Sequence, residues 1–173
     1  MTKTTLPWMA VISLYACAPE TPATVLTSPT EALFLHASSA RVVAFAEGTN
    51  CREALAQLES GDGELLADSG LVEPCDFWEA GAFTFEGASA EQGGLRPFTE
   101  TVPREAVFVA TLLERDGVTV MATGCRAGRA AEEEVVIELA PTTYFNETYG
   151  PTPPRCESAE ARCASDDRDP ACE

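Results

Sequence analysis

The side chains able to do chemistry in this sequence are of few kinds: seven cysteines, one histidine and a large excess of acids. The cysteines stand at positions 17, 51, 75, 125, 156, 163 and 172, and no two of them form a Cys-x-x-Cys pair. His36 is the sole histidine, so the mixed Cys/His spacing of a zinc site is missing. Disulfide chemistry in an oxidising compartment is the reading that remains for Cys51, Cys75, Cys125, Cys156, Cys163 and Cys172. Catalysis loses its commonest base for the same reason. No Gly-x-Ser-x-Gly elbow accompanies His36, and beside an apolar run it reads as a packed or solvated residue.

The acids suggest one metal. Asp166, Asp167 and Asp169 are hard oxygen donors close in sequence, and a bridge from Cys163 to Cys172 would close a loop around them, so they are the calcium candidates. The run lacks the glycine and distal glutamate of a calcium loop and places Arg168 at its centre, which favours a solvated charged face. Glu132, Glu133 and Glu134 open a strand, where like charges deter aggregation at an edge. Phe77 and Trp78 offer an aromatic platform for a sugar ring or a partner, although core packing is the commoner use of such a pair. Asn146-Glu147-Thr148 matches the N-glycosylation sequon, a three-residue match frequent by chance. No cofactor motif occurs.

Lys3 precedes the apolar run Leu6 to Ala16, and Cys17 follows it directly. A basic start, a short apolar core and a small residue before the cut fit a secretory signal peptide over residues 1–16, too short to span a bilayer. Leu14-Tyr15-Ala16-Cys17 resembles the lipobox of bacterial lipoproteins, with Tyr15 where smaller or β-branched residues are usual. The resemblance implies cleavage before Cys17 and acylation of that residue, with plain secretion as the alternative; Ala18 resembles an outer-membrane sorting residue. With Cys17 lipidated, an even set of six cysteines remains for disulfides. Eleven basic residues against 28 acids, for a net charge of −17, disfavour nucleic acid and anionic headgroups, so attachment to a bilayer rests on acyl chains.

The elements that must position these residues follow from patterning. Residues 17–32, with Pro19, Pro22 and Pro29, read as a Pro/Thr-rich tether, and residues 142–173 as a Pro/Cys-rich acidic tail. Between them, residues 33–141 hold strand candidates at Leu33–His36, Arg41–Glu47, Glu64–Ala67, Gly81–Phe85, Ala106–Glu114, Val118–Ala122 and Glu134–Leu139. Arg115-Asp116-Gly117 joins two of them as an antiparallel hairpin. Asn50 followed by Glu53 predicts one short capped helix, with Ala54, Leu55 and Leu58 on its apolar face. Cys51 in that helix and Cys125 at the hairpin's end make the first-choice bridge, leaving Cys75 to pair locally or with the tail. The predicted fold class is therefore all-β: an antiparallel sandwich of about seven strands with one short helix, disulfide-braced, with disordered flanks.

The segment VFVATLLERDGVTVMATGC, followed by EEVVIELAP, resembles the carboxypeptidase-regulatory-like and transthyretin-like immunoglobulin-like sandwiches of bacterial surface proteins. Gly48-Thr49-Asn50-Cys51 and the later Gly124-Cys125 also resemble small extracytoplasmic lipoproteins. These resemblances imply a lipid-anchored cell-envelope protein, at the outer membrane, that binds an envelope protein or glycan or does structural work without catalysis. The alternatives are a secreted calcium-dependent or hydrolytic module, and an envelope-assembly partner docking by β-augmentation.

Overall fold

The run Val107–Leu113 (β5) is apolar at nearly every position, and it is buried along its whole length as the middle strand of a five-stranded antiparallel sheet. A computed structural model describes residues 21–86, 93–129 and 133–164 of the chain. β5 lies between Ser39–Phe45 (β2) and Val120–Ala127 (β6). Leu65–Asp68 (β3) flanks β2, and Ala140–Pro141 (β8) flanks β6. The hairpin joining β5 to β6 turns at Gly117, which takes a positive φ of 68° that a side chain would resist. Asp116 stays out of that region and caps the turn instead, its carboxylate accepting from Val118 N, Thr119 N and Thr119 Oγ1. Those bonds hold its carboxyl below the usual range.

A second sheet has three strands, all parallel: Ala23–Ser28 (β1) runs between Phe83–Phe85 (β4) and Glu134–Glu138 (β7). The main core fills the space between the two sheets and unites Leu26, Phe83 and Ile137 with Val42, Phe108 and Leu112. On the far face of the larger sheet, Val43, Phe45, Val107 and Val109 form a smaller core under the helix Cys51–Ser60 (α2). This helix has the full capping box, with Asn50 Oδ1 accepting from Glu53 N and Glu53 Oε2 accepting from Asn50 N. Gly61 ends it in the left-handed region.

The fold is not an all-β sandwich. Five helices and a parallel sheet among the described residues make it a mixed α/β arrangement, and the reasons are local. Leu33, Phe34 and Leu35 form a continuous apolar run that periodicity alone does not assign. Thr30 in extended conformation and Glu31 in the first turn start a helix there, Glu31–His36 (α1), in place of the expected strand. Pro74 occupies the first turn of Pro74–Glu79 (α3), where its missing N–H costs nothing. Residues 18–31, expected as a tether, contain β1, the central strand of the parallel sheet. Residues 142–164, expected as irregular tail, contain Thr143–Thr148 (α4) and Ala159–Ala164 (α5).

β7 crosses β6 at Gly124. A Cβ built there would lie 2.3 Å from the Glu138 carbonyl oxygen and 2.8 Å from Ile137 Cγ2, so the crossing requires glycine. Because the closest obstacle is backbone, Gly124→Ala is expected to cost about 3 kcal/mol, at the upper end of overpacking changes. The urea midpoint should fall at unchanged slope.

Candidate functional site

A cluster at the end of β5 gathers titratable groups whose properties are shifted by their neighbours. Its carboxylate is Glu114, at the end of β5. Oε2 of Glu114 accepts from Tyr144 Oη at 2.9 Å, and Oε1 accepts a short hydrogen bond from Tyr149 Oη. The two tyrosines come from α4 and the residue that ends it. That helix starts here because Thr142 Oγ1 accepts from Phe145 N at 3.2 Å, while Thr142 N donates to the Met121 carbonyl and ties the helix start to β6. Phe145, one turn before Tyr149, is buried in the main core, and its ring stacks with the Tyr149 ring at 5.9 Å. Tyr144, 38% exposed, meets Tyr149 edge to face at 6.3 Å. Glu114 raises the pKa of both phenols above the ordinary tyrosine value, chiefly through these hydrogen bonds.

His36 lies beneath this layer at the C-terminal end of α1. Its ring packs on Tyr149 at 4.6 Å and against Phe145 at 6.1 Å. Nε2 is buried and makes no hydrogen bond of ordinary geometry. Burial pushes the histidine pKa below its usual value, the Thr152 backbone partly opposes this, and the charge of Arg162 adds to the lowering.

Arg162 is the largest fully buried side chain, at 0% exposure, and comes from α5. Its guanidinium donates to the Phe34 carbonyl through one terminal nitrogen and to the Ala37 carbonyl at 2.7 Å through the other. These are carbonyls around the last turn of α1, which a helix leaves without intrahelical donors. The guanidinium also sits over the Phe34 ring at 5.1 Å. At the opposite end of α1, Glu31 Oε1 accepts from Ala159 N at 2.7 Å, so α5 is docked on α1 from both ends.

The disulfides fasten the same regions. Cys51 is bonded to Cys125 and joins α2 to β6, the pairing placed first from sequence; Cys75 is bonded to Cys163 and joins α3 to α5. Cys156 is buried and disulfide-bonded as well. Cys17, Cys172, Asp166, Asp167, Asp169 and Glu132 lie outside the described residues. Among the described residues, no group of three His, Cys, Asp or Glu side chains is placed to hold a metal ion. Phe77 is fully buried, and Trp78 packs against the core while stacking on Phe85 at 5.7 Å. Core packing is thus the observed use of that pair. Asn146 is exposed on α4. Glu133 and Glu134 line an open depression of about 430 Å³ with Ala23 and Arg96.

Chemically, the cluster is a fastening. His36 meets Tyr149 through its ring face, and its Nε2 is buried without a hydrogen-bond partner. The carboxylate is engaged by two phenols that it keeps protonated. Sequence reading singled out His36 and missed Glu114, Tyr144, Tyr149 and Arg162. These are brought together with the region of His36 only across long stretches of chain, and no local spacing signals them.

The fold and this cluster define a disulfide-braced α/β domain whose C-terminal segment is latched onto its first helix. No protein-family model, no curated protein and no solved structure matches the chain. Among the described residues no helix is long and apolar enough to cross a membrane. The disulfides are compatible with an extracytoplasmic protein.

Proposed function

We propose that the protein is a cell-envelope lipoprotein, anchored through acyl chains on Cys17, whose disulfide-braced domain does binding or structural work and no catalysis. The observation that carries this reading is the pair of bridges, Cys51–Cys125 and Cys75–Cys163, spanning 74 and 88 residues within one fold. Such bridges suit an oxidising compartment, and Leu14-Tyr15-Ala16-Cys17 supplies the address that leads there. The engagement of Glu114 with Tyr144 and Tyr149 in holding α4 supports a structural use of the titratable cluster.

Strand addition by a partner is the weaker reading. β3, β4 and β7 are short edges of four, three and five residues, and Glu134 and Glu138 flank the one exposed apolar side chain on β7, Val136. Charged, short edges are those that resist pairing.

The test is the intact mass of the full chain expressed in a Gram-negative host, before and after reduction with alkylation, beside a Cys17→Ala variant. The expected result is a chain beginning at Cys17 with the added mass of acyl groups, lost in the variant, and with thiols that react only after reduction. An unlipidated chain with reactive thiols from the outset would overturn both the anchor and the compartment.

A further inference from the structure

We propose that His36 is an acid-sensitive catch: when its ring takes up a proton, the segment from Tyr144 to Cys156 leaves its seat on α1 while staying attached at both ends. The geometry has three parts. First, the ring is partly buried, with Nε2 fully buried and without a hydrogen-bond partner, Tyr149 packed on its face and Phe145 against its edge. Second, a fixed cation stands close by. Arg162 donates to the carbonyls of Phe34 and Ala37, on either side of His36 in the chain, so a charged imidazole is repelled by a guanidinium held in place by those bonds. Third, the overlying segment is held at its ends by bonds that do not involve the histidine. β8 pairs with β6 through Ala122 and Pro141, and the Cys75–Cys163 bridge holds α5.

The other groups facing the ring do not reverse this. Tyr149 and Tyr144, from α4 and its end, are neutral phenols that both donate to Glu114 of β5, so that carboxylate is already engaged. Glu31, on α1 itself, accepts from the Ala159 amide. The Thr152 backbone is the group that favours the charged ring, and burial together with Arg162 outweighs it. Thr152 also belongs to the segment that would move. In the seated form the histidine therefore binds its proton less readily than the ordinary value of 6.5, which the unseated form regains. The neutral seat is fully favoured above about pH 6.5 and is progressively lost as the pH falls below it toward the seated form's lowered value.

Departure of the segment would uncover Phe145 and the end of α1, an apolar surface hidden at neutral pH. The device thus makes the exposure of that surface depend on the acidity around the protein, with one histidine as the sensor.

The experiment is amide hydrogen exchange on the oxidised full chain at pH 7.5 and 5.5, each rate divided by its intrinsic rate at that pH. Wild type, His36→Phe, His36→Gln and Glu114→Gln are compared. In wild type, exchange at residues 143–156 should rise between the two pH values, by at most about tenfold, the limit that linkage sets when the unseated form titrates near 6.5. Amides of β5 should keep their protection. Glu114→Gln should retain the rise from a faster baseline, whereas His36→Phe should abolish it, and His36→Gln serves if the phenylalanine variant does not fold. A flat wild-type profile, a rise shared by β5, or a rise that survives replacement of His36 would each overturn the proposal. Because His36 is the only histidine, its ring proton signal gives a second readout. Titration of that signal with an unshifted midpoint would also overturn it.

Discussion

Arg162→Met is expected to lower the unfolding free energy by about 4 kcal/mol, the loss expected when two buried carbonyls are left without their donors. The argument rests on what the guanidinium leaves behind. Methionine replaces much of the volume but donates no hydrogen bond, so the carbonyls of Phe34 and Ala37 lose their donors in a region where Phe34 and Ala37 are both fully buried. Each such loss costs about 1–3 kcal/mol. The contact over the Phe34 ring goes as well. Arg162→Lys separates charge from geometry. A lysine keeps the cation, yet a single ammonium cannot reproduce the planar fork that reaches two carbonyls at once, so it should recover less than half of the loss. Urea denaturation of the three proteins decides the matter. Equal stability of wild type and Arg162→Met would mean that the end of α1 finds other donors and that α5 is held by its disulfide and the Glu31–Ala159 bond.

The parts of this molecule that were legible in the sequence share a property: their cause is local. The hairpin of β5 and β6 announces itself through two apolar runs around Asp116-Gly117, and α2 through the Asn50–Glu53 box. The parts that were not legible depend on contacts far along the chain. β1 looks like tether because Pro22 and Pro29 bracket a six-residue run, and only its parallel partners β4 and β7, remote in sequence, make ATVLTS a central strand. α4 and α5 are each six residues long, below the length at which a helix is stable by itself, so their sequences carry little helical signal. Their order comes from Phe145, Arg162 and Cys163, all acting across the fold. His36 illustrates the same limit for the site. Its isolation in the sequence was visible, whereas Tyr149, which packs on its ring, and Arg162, which lowers its pKa, are brought to it by the docking of α4 and α5.

Removing the Cys51–Cys125 bridge, as Cys51→Ala with Cys125→Ala, is expected to cost about 4 kcal/mol on the chain-entropy account, because the bond closes a loop spanning 74 residues. The native contacts near it make a compensating gain small. α2 contributes one fully buried residue, Ala54, with Leu55 and Leu58 partly covered, and a ten-residue helix does not persist without docking. The bridge anchors the first turn of α2 to β6, so its loss should loosen the helix and uncover Val43, Phe45, Val107 and Val109 beneath it. The Cys75–Cys163 bridge, spanning 88 residues, carries a similar entropic contribution. Together the two contributions are comparable to the whole stability of an ordinary domain, about 5–15 kcal/mol. Full reduction should therefore unfold the wild-type protein at 37 °C, seen as loss of near-ultraviolet circular dichroism, while the double alanine variant stays folded when oxidised but with a much lower urea midpoint. If the reduced chain keeps its near-ultraviolet signal, the two cores sustain the fold unaided. The bridges would then say little about the compartment, and the case for an extracytoplasmic protein would fall back on residues 1–17.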